Sequence, residues 1–286
     1  MAHIRSNSLP SSVHPIILRI KEELVKLKGL EASQTAEAIL IALESLKDLY
    51  TCVDDLLHLL FAQQVLVLHR REKWVDEMLN GSIQLMDLCS SVRDALSSMK
   101  EHMQALQSTL RRRRAGDPSI KCEIRSYFLY RKKAEKDLNK SLSKLKKIGN
   151  GCPLLNENND TSMVFKVLQE VTVVTISIFQ SVLCFMASTS PVTRPNKWSL
   201  VSKVMRKGTV ACEGEDGDVN LVQRVDASLS TLCRHDSSKD DDVKVSQVQK
   251  RMVELEGSIE RIDGGLECLF RQLIQTRVAL LNNISL

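Results

Sequence analysis

Between Ala36 and Leu60 the apolar positions are Ala36, Ile39, Leu43, Leu46, Tyr50, Val53, Leu57 and Leu60, in alternating steps of three and four. That rhythm traces one face of an α-helix and cannot be laid on a strand, where side chains alternate at every second residue. It is a heptad seam and predicts a long helix that hides one stripe from water. A break is expected near 61–68. The habit then resumes through Trp74, Met78, Gly81, Leu85, Leu88, Val92, Ala95, Met99, Met103, Leu106 and Leu110, with one irregular step. Arg111–Arg114 suit the negative end of that helix's dipole. Gly116 is placed to stop the helix, Asp117 to cap the next and Pro118 to open it. A tight hairpin of two long antiparallel helices follows, the second over about 119–148 with Ile120, Ile124, Tyr127, Ala134, Leu138, Leu142, Leu145 and Ile148 inward.

The remaining segments fit the same architecture. Residues 1–15 lack periodicity and read as a flexible tail, and Pro15 is tolerated in the first turn of a helix that Gly29 would end. Ser33 and Glu37 lie near the start of the helix that follows. After Gly149-Asn150-Gly151 and an Asn-rich loop, Asp160 or Ser162 is the expected cap of a fifth helix. The polar stretch 208–244 is expected to be partly disordered and to hold one helix near 218–232. The last helix restores strict spacing through Val245, Val248, Met252, Leu255, Ile259, Ile262, Leu266, Leu269, Leu273, Thr276 and Leu280. Gly264-Gly265 interrupts its propensity but not its phase, so a kink is expected there. The prediction is an all-α fold: an elongated antiparallel helical bundle formed by residues 16–286 as one domain.

Composition agrees. In 286 residues 43% are hydrophobic, enough for a core, but only 4% are aromatic, fewer than sheet proteins need. Eight cysteines are scattered without a C-x-x-C pair, so zinc spacing is missing and free thiols in a reducing compartment are the natural reading. The polar start of the chain has no apolar core for secretion, which points to a cytoplasmic protein, with nuclear or membrane association as alternatives. The N-x-S/T triplets, Asn283 among them, are then chance matches.

No motif points to catalysis. G-x-S-x-G, the phosphate-binding G-x-x-x-x-G-K-[ST] and H-E-x-x-H are all missing. Gly149-x-Gly151 is a turn. A di-metal carboxylate bundle needs two facing E-x-x-H pairs, and the nearest approach is a single Asp55-x-x-His58. No catalytic residue, metal ligand or cofactor is assigned, and a non-enzymatic protein is expected.

Two features suit binding. Arg5-Ser6-Asn7-Ser8-Leu9-Pro10 places an arginine three residues before Ser8 and a proline two after it. Basophilic kinases favour that spacing, and a phosphorylated Ser8 would suit 14-3-3 proteins: Arg clusters grip the phosphate while Pro10 turns the chain out of the groove. The second is residues 111–147, with fourteen Lys or Arg against four acids. Arg111, Arg112, Arg113 and Arg114 have a structural reason at a helix end. Lys133, Lys136, Lys140, Lys144 and Lys147 recur at helical spacing as one positive ridge. A solvated face is the simpler reading, and a patch for an anionic membrane surface is the alternative. With Tyr127, Phe128 and Tyr130 the few aromatics nearby and no recognised module, nucleic acid is not expected as a partner.

Val171–Ala187 is an uncharged apolar run of 17 residues. A span needs about 20, and Thr and Ser residues dilute this one, so a central core helix is preferred. The alternative is a peripheral membrane protein held by residues 171–207, whose end, NKWSLVSKVMRK, is basic and amphipathic. Exposed heptad positions would equally serve self-association.

The ordered blocks RSNSLPSSVHP, LKDLYTCVDDLL, HRREKWVDEMLNGSIQLMDLC, RDALSSMKEH, LQSTLRRRRAGD and GLECLFRQLIQTRVALLNNIS carry a likeness. The chain resembles a plant-specific family of unknown function (DUF241) grouped with the BYPASS-type proteins. The resemblance spans essentially the whole chain. It implies plant origin, a helical fold and a loose association with root and shoot development, and it supplies no catalytic residue or cofactor.

Overall fold

The structure, a computed structural model, describes residues 14–30, 35–112, 118–149, 160–186, 220–234 and 241–285. These form eight helices with no strand among the described residues: α1 (Pro15–Leu30), α2 (Ala36–Leu57), α3 (Leu60–Leu68), α4 (Lys73–Arg112), α5 (Pro118–Gly149), α6 (Asp160–Met186), α7 (Leu221–Arg234) and α8 (Asp241–Ser285). At about 1.5 Å per residue, α4 and α8 are rods of roughly 60 Å and 67 Å. The all-α bundle expected from the periodicity is the fold observed.

The predicted seams turn inward. From Ala36 to Leu57 every predicted position of α2 is buried, and so is the α4 series apart from the half-buried Met78. Burial is broader than a single stripe, because Ala42, Leu49, Cys52 and Leu56 of α2 are enclosed as well. A helix with neighbours on two sides needs that wider apolar arc.

Several boundaries differ from expectation. Gly29 does not stop α1, which continues to Leu30. The cap of α2 is Thr35, whose hydroxyl accepts the Ala38 amide at 3.3 Å. Residues 61–68 are not a break but lie within α3. The chain turns at His58–Leu59, where the extended Leu59 (ψ 136°) leaves α2 and α3 at 76°. Leu60 therefore leaves the seam and is 75% exposed. Gly264-Gly265 lies inside α8, which is one helix from Asp241 to Ser285. A Cβ on Gly265 would stand 3.0 Å from Leu43 Cδ1 and 3.3 Å from Leu43 Cβ, whereas Gly264 faces open space. Gly265 thus lets α2 and α8 approach closely.

Polar ties set the directions of the rods. Arg93 donates to Asp263 at 2.8 Å, and Arg277 donates to the Leu79 carbonyl at 2.6 Å and to Ser82 Oγ at 2.7 Å, so α4 and α8 run antiparallel. Arg261–Glu37 (3.1 Å) and Asn283 to the Leu57 carbonyl (2.7 Å) place α2 parallel to α8. Tyr130 donates to the Ala95 carbonyl at 2.8 Å and its ring lies beside His102, as the predicted hairpin of α4 and α5 requires.

The apolar run falls in α6, which packs against α1, α2, α3, α4 and α5. By length and composition Met163–Met186 is long and apolar enough to cross a membrane, but 56% of its most apolar window is buried in the bundle. Its Thr175 meets the Tyr50 hydroxyl at 3.0 Å, and Phe165 packs edge-on against Trp74 at 5.1 Å. Burial pushes the Tyr50 phenol well above its ordinary value of 10.0, so it remains a neutral hydrogen-bonding group.

Candidate interaction surface

The basic stretch divides between the end of α4 and the length of α5. Arg111 and Arg112 are exposed in the last turn of α4, where cations offset unpaired carbonyls. Arg113, Arg114 and the Gly116–Pro118 punctuation lie outside the described residues or side chains, although α5 does begin at Pro118. On α5, Lys133, Lys136 and Lys140 are exposed as predicted, joined by Arg125 and Lys132. The side chains of Lys144 and Lys147 are outside the description.

Arg131 departs from this pattern. Within Arg131-Lys132-Lys133 it alone turns inward, and 7% of its side chain is exposed. It is ion-paired with Asp226 of α7, donates to the Met186 carbonyl at the end of α6, and lies 5.5 Å from the Tyr127 ring centroid. Asn220 completes the node. Its amide donates to the Phe185 carbonyl at 2.8 Å and its Oδ1 accepts the Val222 amide at 3.0 Å, capping α7. The last carbonyls of α6, the start of α7 and the middle of α5 are thus tied by one polar cluster. Sequence reasoning counted Arg131 as surface charge. The missed signal was phase: the seam steps Ile120, Ile124, Tyr127, then Ala134, and Arg131 fills the vacant position.

Aromatic residues near the ridge are not offered to solvent as stacking platforms. Tyr127 is fully buried, which raises its phenol pKa, and Phe128 and Tyr130 pack partly against the core. An exposed apolar residue, Leu129, stands among the cations instead.

Elsewhere polar groups serve packing. A surface cleft joins the starts of α2 and α7 to α8, but its Arg261 is paired with Glu37 at 3.1 Å. Among the described residues no group of three or more His, Cys, Asp or Glu could hold a metal ion. His58 ends α2, its Nδ1 lying 2.7 Å from the Asp54 carbonyl. Cys52 and Cys89 are buried free thiols, and burial lifts Cys89 to about 12. The tail residues Arg5, Ser6, Ser8 and Pro10 and the whole of 187–219 lie outside the described residues.

No significant match to a curated protein or to a solved structure was found. A family model, Protein BPS1, matches residues 42–283, from within α2 almost to the end of α8. The match covers the hairpin, the α6 core and the closing rod, and on that evidence the chain belongs to the BPS1 family.

Proposed function

We propose that this BPS1-family chain is a non-enzymatic helical scaffold or adaptor, acting by contact with partners in processes linked to root and shoot development. The supporting observation is the division of its surface and interior. Apolar seams and buried polar groups are spent on joining helices, while α5 turns a continuous cationic face outward. The N-terminal segment carrying Arg5, Ser6, Ser8 and Pro10 would add regulation, with phosphorylated Ser8 recruiting a 14-3-3 protein. Cytoplasmic residence fits this reading. Burial of α6 among five helices favours the scaffold over anchoring through residues 171–207.

Proximity labelling in plant cells, comparing the wild type with Ser8→Ala, tests both parts. A reproducible partner set supports the adaptor, with loss of its 14-3-3 members in the variant. An empty set rejects the adaptor, and a set indifferent to Ser8→Ala rejects the tail switch.

A further inference from the structure

The outward face of α5 has a composition that the helix's role in the core does not require. Steps of about 100° per residue place Arg125, Lys132, Lys133, Lys136 and Lys140 within about 60° of Leu129, and all six are exposed. No acid falls in that arc. Asp137 lies at its edge, and Glu123 and Glu135 turn toward the flanks. From Arg125 to Lys140 the ridge extends roughly 22 Å at 1.5 Å per residue. Leu129, 63% exposed, sits on its midline.

We propose that this face adsorbs to the surface of an anionic lipid bilayer, with the Arg and Lys heads among the phosphates and carboxylates and Leu129 entering the headgroup boundary. Charge complementarity limits the partner to an anion, and three observations select the bilayer. Four of the five cations are lysines, compact charges suited to a diffuse anionic sheet, whereas recognition of individual phosphates favours arginine forks. An apolar side chain on the midline of a cationic stripe gains by entering lipid and gains little against a phosphodiester backbone. Stacking aromatics, which single-stranded nucleic acid uses, are withdrawn here, since Tyr127 is fully buried. Because α5 packs on α4 and α6, only its ridge is offered, and Asp94 and Asp137 beside Lys133 would repel a partner that wrapped around it. A flat surface touches the ridge alone. Such adsorption leaves α6 in the core, unlike anchoring through 171–207, and does not depend on which proteins the chain recruits.

Flotation of the full chain with phosphatidylserine–phosphatidylcholine vesicles provides the test. The wild type is expected to float with these vesicles at low salt, to be released at high salt, and not to float with pure phosphatidylcholine. Each surface cation contributes about five-fold to partitioning, so Lys132→Gln, Lys136→Gln and Lys140→Gln together should lower it about 100-fold. The exposed control set Lys21→Gln, Lys73→Gln and Lys250→Gln removes equal net charge and should change it far less. Leu129→Gln should weaken flotation several-fold, and circular dichroism should be unaltered in every variant. A wild type that ignores anionic vesicles, an equal effect of the control set, an unaffected Leu129→Gln, or tighter binding to duplex DNA than to vesicles would each overturn the inference. Vesicle binding without any protein partner would sink the adaptor reading alone.

Discussion

At Arg131 a guanidinium occupies a seam position where the neighbouring steps hold Tyr127, Ala134 and Leu138. Enclosing a charge is costly unless another charge and hydrogen bonds compensate, and here Asp226, the Met186 carbonyl and the Tyr127 ring do so. The pair fixes how α7 is seated on α5 more than it adds net stability. Arg131→Met should therefore destabilise the fold by about 3–5 kcal/mol, because the enclosed Asp226 carboxylate loses the cation that offsets its burial. Arg131→Met combined with Asp226→Leu should recover most of that loss in urea melts. A double variant as unstable as the sum of the single ones would remove the coupling. Similar reasoning applies at Asn283, where an apparent glycosylation triplet is a buried amide serving the Leu57 carbonyl at the end of α2.

For whole helices, the three-four rhythm was sufficient to locate α2, α4 and α8, because amphipathic periodicity is a property of short stretches of chain. Their ends were harder to read. The turn at His58–Leu59 contains neither glycine nor proline, and the seam runs on to Leu60 as though no turn occurred. The glycine pair in α8 shows the same limit, since sequence records the low helix propensity of both residues but not the neighbour of either. Gly264→Ala, facing open space, should stabilise by about 1 kcal/mol through helix propensity. Gly265→Ala should destabilise by about 1–3 kcal/mol, the cost of overpacking, because its Cβ would press on Leu43. Thermal melts of the two variants should shift in opposite directions, and parallel shifts would contradict the close approach of α2 and α8.

Across the whole molecule, α2 and α8 meet although Glu37 and Arg261 are 224 positions apart. Such distant contacts predict that the packed rods melt as one cooperative unit. Leu46, fully buried at the centre of the α2 seam, reports on that unit. Leu46→Asp buries an unpaired charge and should cost several kcal/mol, on the order of 3–5. Helicity measured by circular dichroism should then be lost in a single transition at a much lower temperature. An unchanged melting curve would refute the packing around α2.

Helical class, the inward stripes and a cationic run on α5 were legible in the residues alone, since each depends on neighbours within two turns. Which members of that run face water was not. Arg131 and Lys132 are adjacent and similarly charged, and what separates them is Asp226, 95 positions away and brought near only by folding. The outward ridge, and its distinction from the buried pair beneath it, therefore belongs to the tertiary structure, because burial of a charge is decided by its partner in space.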